Sequence, residues 1–134
     1  MVDESDRKTK ILVIDDEEHL RTLLADILES DGYRVTTAAH GREGLDSFQA
    51  ERHDVVITDL GMPEMSGLEV TEAIKKIDPS TPVVLLTGLG FQLEGEDGKS
   101  RKFDLLISKP FQLSEVLAIV RNALRRKENT GVRV

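Results

Sequence analysis

The sequence contains no cysteine, so no disulfide bond can compensate for a small hydrophobic core. Long apolar runs are missing too, since no stretch approaches the roughly 20 apolar residues that a membrane-spanning helix requires. Residues 1–10 are almost entirely polar and lack the apolar core of a signal peptide. We therefore expect a cytoplasmic protein with no membrane partner.

Positive charge is in short supply, because 18 Lys and Arg residues face 25 Asp and Glu residues and leave a formal net charge of -7. A field of this sign repels nucleic acid on average, so we expect no direct nucleic-acid partner. The basic cluster Arg125, Arg126 and Lys127 is placed to complement the carbonyl end of a last helix. A partner-docking role for the cluster stays an open alternative.

The length of 134 residues, 39% of them hydrophobic and 32% charged, fits one globular domain with a sizeable core. Short apolar runs alternate with amphipathic stretches, which predicts five β-then-α units. The helical apolar stripes, which we expect in the core, are Leu20, Leu23, Leu24, Ile27 and Leu28; Leu45 and Phe48; Val70, Ala73, Ile74 and Ile77; Leu113, Val116, Leu117, Val120 and Leu124. We expect an ordered domain at residues 10–127 and flexible termini at 1–9 and 128–134.

The strand-like runs differ in how apolar they are. Residues 33–38 alternate polar and apolar side chains, whereas residues 11–14, 55–57 and 83–86 are solidly apolar. Alternation suits an edge strand, and solid runs suit the interior of a parallel sheet. With right-handed crossovers, this predicts an α/β fold, a doubly wound five-stranded parallel sheet of order 2-1-3-4-5 with helices on both faces.

The fourth helical segment is the irregular part of this pattern. Gly88, Gly90, Gly95 and Gly98 all fall within residues 88–102, and each interior glycine costs a helix about 1 kcal/mol relative to alanine. We expect this segment to be a short, irregular or partly disordered helix.

Four strand-like runs end at residues that can handle phosphate or a metal ion. Residues 11–14 lead to Asp15 and Asp16, residues 55–58 to Asp59, residues 83–86 to Thr87, and residues 105–108 to Lys109. The carboxyl ends of parallel strands share one edge of a sheet, where open α/β sheets bind ligands. Singly, each residue has an ordinary explanation as a helix cap, strand residue or turn residue. Their coincidence at one edge predicts a shared site.

The three carboxylates of this edge repel one another, since two unit charges about 4 Å apart cost on the order of 4 kcal/mol at an effective dielectric of about 20. Mg²⁺ suits them because it takes one or two carboxylates, keeps several waters and accepts phosphate oxygens as ligands. Lys109 adds a positive charge and Thr87 a hydroxyl donor, which suits phosphoryl transfer. Asp59, alone at its strand end, is the natural nucleophile.

These motifs resemble the receiver domain of two-component response regulators, a family with a CheY-like, flavodoxin-like fold. The resemblance runs from Lys10 to Arg126. Residues 11–17 are similar to the family's first strand and acidic pair, and residues 59–67 to its phosphoacceptor loop. Residues 87–88 and 108–111 are similar to its remaining site motifs.

The resemblance implies a role for each acidic residue. Asp59 would accept a phosphoryl group from the phosphohistidine of a sensor histidine kinase or phosphotransfer protein. Asp16 and Asp59 would ligate Mg²⁺ directly, together with the backbone carbonyl of Gly61, while Asp15 would act through water. Such a domain is not an enzyme in the ordinary sense, because its self-catalysis is limited to accepting and losing the phosphoryl group.

The resemblance also implies that Thr87 and Lys109 hold the phosphoryl oxygens, with a cis peptide between Lys109 and Pro110. Signalling would change the conformation of the face built by the fourth and fifth β-α units. The family usually carries Tyr or Phe three residues before the lysine, but this chain has Leu106. We therefore hypothesise that phosphorylation orders residues 88–102 instead of turning an aromatic ring.

Three alternatives belong to other functional classes. A phosphatase with an aspartate nucleophile usually has Asp-x-Asp, and Gly61 replaces its second acid. A flavin carrier needs a phosphate loop after the first strand, where residues 15–18 are all acidic and would repel phosphate. A receiver-like scaffold or protein-binding module that is never phosphorylated is the main alternative.

Partners beyond the kinase are open at this stage. The output protein or domain is unknown, and the chain is either a stand-alone receiver or a piece of a longer regulator or hybrid kinase. We expect a monomer or weak dimer. His19, His40 and His53 lie far from the strand ends in sequence, and we expect them at the surface.

Overall fold

The computed structural model describes residues 8–88 and 102–132, with side chains described as far as Lys127. The strands are β1 (Lys10–Ile14), β2 (Arg34–Ala38), β3 (Val55–Asp59), β4 (Val83–Thr87) and β5 (Leu105–Ser108). The helices in this part of the chain are α1 (Glu18–Ser30), α2 (Gly41–Ala50), α3 (Gly67–Ile77) and α4 (Leu113–Val132). The irregular helix expected within residues 88–102 falls almost wholly outside the described residues.

The five strands form one parallel sheet in the order β2-β1-β3-β4-β5, which confirms the predicted fold. The solidly apolar strands β3 and β4 are buried along their whole length. The alternating strand β2 lies at an edge and is mostly accessible. Because the strands are parallel, the carboxyl ends of β1, β3, β4 and β5 line the same side of the sheet.

The core has two layers because successive strand residues point to opposite faces. In β1, Ile11 and Val13 pack with apolar residues of α1 and α4, while Leu12 and Ile14 pack with those of α2 and α3. Most residues of the helical stripes lie in these layers, but four do not, and one of these, Ile27, is half-buried. Leu23, Ile77 and Leu113 are 43%, 45% and 43% exposed, so their expected burial was wrong.

Local sequence sets the ends of α3. Ser66 accepts a hydrogen bond from the Glu69 amide, and the Glu69 side chain accepts one from the Ser66 amide, which is the capping box that this spacing predicts. The helix ends at Ile77, directly before Asp78 and Pro79. The last helix, α4, continues to Val132, beyond the Lys127 boundary expected for the ordered domain. Flexibility of residues 128–134 stays a prediction.

Within residues 8–88 and 102–132, no helix is both long and apolar enough to cross a membrane.

Candidate metal and phosphoryl site

Three carboxylates meet at the carboxyl ends of β1 and β3. Asp15 and Asp16 follow β1, and Asp59 is the last residue of β3, which pairs directly with β1. One carboxylate oxygen from each of the three lies within 4.8 Å of the others. Asp15 is 0% exposed and Asp59 is 7% exposed, whereas Asp16 is exposed. The sequence therefore predicted correctly which acids come together.

Asp15 is the most constrained of these acids. Its amide donates to the Ala38 carbonyl at 3.0 Å, and its Oδ1 accepts the Glu17 amide at 2.8 Å. Its Oδ2 is buried and has no hydrogen-bond partner among the described residues. Neither Asp15 nor Asp16 caps α1, because the N-cap position is Glu17 and no side chain accepts a capping bond there. Helix capping thus fails as the ordinary explanation of the acidic pair.

Burial raises the pKa of Asp15 from 3.8 to about 6. That pKa already includes the negative charges of Asp59 and Asp16, which also raise it, and the Glu17 amide and Lys109 ammonium, which lower it. A carboxylate is therefore destabilised here unless additional positive charge reaches its Oδ2 atom.

Lys109 supplies one such charge from the end of β5. Its Nζ donates to Asp59 Oδ1 at 2.8 Å. Burial alone would lower the pKa of Lys109, but the hydrogen bond and charge of Asp59, with Asp15 and Glu17, raise it above its ordinary value. Lys109 therefore stays charged, and the Lys109–Pro110 peptide that follows it is cis, as the family resemblance implies.

Thr87 reaches the same edge as the last residue of β4. It is buried, and its carbonyl accepts the Lys109 amide at 2.7 Å. In the register of the sheet, Asp59 is opposite Leu86, so Thr87 lies one residue further toward the edge on the neighbouring strand. Thr87 and Lys109 are thus held by one backbone contact next to Asp59.

The loop after β3 is fixed by its own backbone bonds. Leu60 donates to the Leu86 carbonyl and accepts the Gly67 amide, both at 2.8 Å. A Cβ at Gly67 would collide with the backbone carbonyl of Asp59, so the start of α3 packs directly on the predicted nucleophile. Gly61 is exposed in this loop, and its carbonyl as a metal ligand stays a prediction.

Sequence reasoning missed Arg21 near this edge, named Gly67 only as part of residues 59–67, and misplaced His53. Arg21 donates to the Asp15 carbonyl, and Gly67 packs on Asp59, although neither residue stood out in the strand-end pattern. His19 and His40 are exposed, as expected. The expectation for His53 was wrong, because it is 1% exposed and its ring stacks on Phe48 with centroids 6.1 Å apart.

The donor set fits a divalent, oxygen-seeking cation. Three converging carboxylates and the unpartnered Oδ2 of Asp15 together leave negative charge that Lys109 alone does not balance. Oxygen-only donors of this kind suit Mg²⁺, whereas a site rich in His or Cys would suit softer metals. Asp15, Asp16 and Asp59 thus form an acidic pocket suited to Mg²⁺.

Comparison with known proteins places the chain in one family. A family model for the response regulator receiver domain matches residues 11–121. The chain is 39% identical over 122 residues to "Probable transcriptional regulator ycf27" of Cyanophora paradoxa, covering 91% of this chain and 51% of that protein. It is 37% identical over 119 residues to "Alkaline phosphatase synthesis transcriptional regulatory protein PhoP" of Bacillus subtilis, covering 89% and 50%. The chain thus spans about half the length of these curated relatives.

Solved structures agree with this assignment. A response regulator receiver domain protein from Clostridium thermocellum superposes with a TM-score of 0.83 at 36% identity, covering 91% of this chain and 98% of that one. The chemotaxis protein CheY4 of Vibrio cholerae gives a TM-score of 0.81 at 33% identity, covering 87% and 99%. With its sheet order and its acidic edge, the chain belongs to the receiver domain family of two-component response regulators.

Proposed function

We propose that this receiver domain signals by accepting a phosphoryl group from phosphohistidine onto Asp59 in a Mg²⁺-dependent reaction. The observation that carries the proposal is the 2.8 Å contact between Lys109 Nζ and Asp59 Oδ1, beside two further carboxylates. Asp59 is 7% exposed, so its carboxylate is largely shielded from water. This arrangement favours a reaction with a phosphoryl group delivered by a partner.

Asp59 Oδ2 is the proposed nucleophile because Lys109 holds Oδ1. An electron pair of Oδ2 forms the new P–O bond while the P–N bond of the phosphohistidine breaks in line with it. The departing imidazole nitrogen keeps the bonding pair. Asp59 reacts as the carboxylate, so no general base is needed to activate it.

Lys109 and Thr87 are proposed to hold the phosphoryl oxygens. When Asp59 becomes an acyl phosphate, its negative charge moves from the carboxylate to the phosphoryl group. The Lys109 ammonium can follow that charge over a short distance, and the Thr87 hydroxyl can donate to another oxygen. Their existing backbone contact at 2.7 Å supports this joint role, because it fixes one donor relative to the other.

Mg²⁺ would supply the positive charge that offsets repulsion among the carboxylates and the phosphoryl oxygens. We propose Asp16, Asp59 and the Gly61 carbonyl as its direct ligands, with Asp15 acting through water. The buried Oδ2 of Asp15 supports the need for a cation, since a buried anion without a partner is costly.

The proposed result of phosphorylation is a change in the conformation of the domain, and no reaction product other than the phosphorylated domain carries the signal. A sensor histidine kinase or phosphotransfer protein would deliver the phosphoryl group, and an output protein or domain would read the altered face. The relatives named as transcriptional regulators are about twice as long as the matched segment. We therefore propose that any contact with DNA belongs to a separate segment or partner, not to this acidic domain.

Labelling by acetyl phosphate with Mg²⁺, followed by intact mass spectrometry, tests the proposal. We expect one phosphoryl adduct on the unmodified chain, none on Asp59→Asn, and none after chelation of Mg²⁺. Asp46→Asn is the matched control because it removes an exposed carboxylate on α2, and it should label normally. Equal labelling of Asp59→Asn would reject Asp59 as the acceptor. Failure of every protein to label would favour the unphosphorylated scaffold.

A further inference from the structure

Arg21 links the first turn of α1 to the backbone of the acidic site. Its Nη1 donates to the Asp15 carbonyl at 2.8 Å, and the side chain is partly buried. The contact spans six residues, so it closes the whole turn from the end of β1 into α1. Arg21 reaches the site through main chain, and in this it differs from Lys109, which contacts the Asp59 carboxylate itself.

The Asp15 carbonyl needs such a partner because of where it lies. It comes after the last residue of β1 and before the first residue of α1, where the regular ladders of strand and helix do not extend. A backbone carbonyl at a buried residue is costly when it lacks a hydrogen bond. Arg21 supplies that hydrogen bond, and as a charged donor it makes a stronger one than a neutral group would.

This bond also orients both acids of the pair. The carbonyl of Asp15 is part of the peptide plane that joins Asp15 to Asp16. The amide of Asp15 is already fixed to Ala38, so the Arg21 bond holds the second side of the residue. Oδ1 is held by the Glu17 amide, and Oδ2 is buried with no hydrogen-bond partner among the described residues. Small rotations of this peptide plane would carry Asp16 away from Asp59.

We propose that Arg21 is a positioning residue for the cation site, which holds the Asp15–Asp16 peptide so that both carboxylates converge on Asp59. The inference rests on the proposed Mg²⁺-dependent function and adds a residue to it. Groups that orient metal ligands without touching the metal typically change metal affinity by about 10- to 100-fold. We expect an effect in the lower part of that range.

The test compares Mg²⁺ affinity, measured by calorimetric titration, in the unmodified chain, Arg21→Met, Arg21→Lys and Arg42→Met. Arg42→Met is the matched control, because it removes the same charge from an exposed side chain on α2. We expect about tenfold weaker binding for Arg21→Met, substantial recovery for Arg21→Lys, and less than about twofold change for Arg42→Met. Urea unfolding of each variant without Mg²⁺ identifies the conditions under which all four proteins are folded.

Varying the salt concentration distinguishes a positioning role of Arg21 from a long-range electrostatic effect of its charge. Screening is weak at about 0.01 M ionic strength and strong at about 1 M, where the Debye length is about 3 Å. A positioning role predicts that the affinity ratio between the unmodified chain and Arg21→Met persists at both salt concentrations. Amide chemical shifts of Asp16 and Glu17 should also change in Arg21→Met before Mg²⁺ is added, and should not change in Arg42→Met.

Each failure has a distinct meaning. Unchanged Mg²⁺ affinity in Arg21→Met, or a ratio that collapses at high salt, would overturn the role of Arg21 and leave the proposed function intact. Absence of Mg²⁺ binding by the unmodified chain would instead overturn the proposed function, and the inference about Arg21 with it. If Arg21→Met does not fold, Arg21→Lys decides, because its different donor should shift the Asp16 and Glu17 amides and weaken Mg²⁺ binding by less than tenfold. Amide shifts and affinity both equal to those of the unmodified chain would overturn the role of Arg21.

Discussion

Replacing Asp15 with asparagine should stabilise the metal-free domain at neutral pH. The amide has nearly the shape of the carboxylate, and its oxygen can still accept the Glu17 amide hydrogen. The substitution removes a negative charge that is buried beside Asp59 and Asp16. It thereby removes a group that the fold tolerates poorly as an anion, without opening a cavity.

The size of the effect follows from the pKa of Asp15, which burial and the neighbouring carboxylates raise from 3.8 to about 6. At 1.36 kcal/mol for each pKa unit, the folded state disfavours the ionised form by at most about 3 kcal/mol. Since the folded pKa is the higher one, the stabilising contribution is present below pH 3.8 and is lost as the pH rises through about 6. Asparagine does not titrate, so the stability advantage of the variant over the unmodified chain should grow as the pH rises through this range.

Urea unfolding in EDTA, followed by circular dichroism from about pH 4 to pH 8, measures this difference. We expect Asp15→Asn to exceed the unmodified chain by up to about 3 kcal/mol at the upper end of that range, and by much less at the lower end. Mg²⁺ at 100 times its dissociation constant adds about 2.7 kcal/mol to the free energy of unfolding of a protein that binds it. Mg²⁺ should therefore stabilise the unmodified chain more than Asp15→Asn and narrow the difference between them. Asp46→Asn serves as the control. Parallel pH profiles for Asp15→Asn and the unmodified chain would show that the folded state does not disfavour the Asp15 carboxylate.

Two further substitutions probe residues whose packing the sequence did not predict. His53→Phe should reduce the loss of stability in acid. Burial lowers the pKa of His53 below 6.5, so the unmodified domain loses stability as the pH falls through that lowered value. Equal acid sensitivity of the two proteins in urea unfolding would contradict this. Gly67→Ala should destabilise the domain by about 1–3 kcal/mol and slow acetyl phosphate labelling, since the added methyl group collides with the Asp59 carbonyl. A stable Gly67→Ala that labels at the normal rate would show that the loop adjusts freely. Lys76→Ala, which changes an exposed residue of the same helix, is its control.

The sheet could be predicted because hydrophobic period and turn residues are local properties of the sequence. Solid apolar runs predicted the buried strands β3 and β4, and alternation predicted β2 as an edge strand. The exposed residues Leu23, Ile77 and Leu113 show the limit of this reasoning. A helical stripe is wider than the contact it makes, so its outer members reach solvent, and only the packed structure shows which ones do.

The site could be predicted in part for a similar reason. Strand ends are visible in sequence, so Asp15, Asp59 and Lys109 could be brought to one edge by topology alone. Arg21 could not, because its role depends on a hydrogen bond to a main-chain carbonyl, and any residue type presents the same carbonyl. His53 was misplaced because its burial arises from packing against Phe48 on α2, which no local pattern around residue 53 records.

Locating the residue that carries the phosphoryl group is the most direct test of the proposed function. Acyl phosphates on aspartate are reduced by borohydride to homoserine, which peptide mass spectrometry locates in the sequence. After treatment with acetyl phosphate and Mg²⁺, we expect homoserine at position 59 and at no other aspartate, and loss of that product when Mg²⁺ is chelated. Homoserine at Asp15 or Asp16, or a phosphoryl adduct that persists without Mg²⁺, would contradict it.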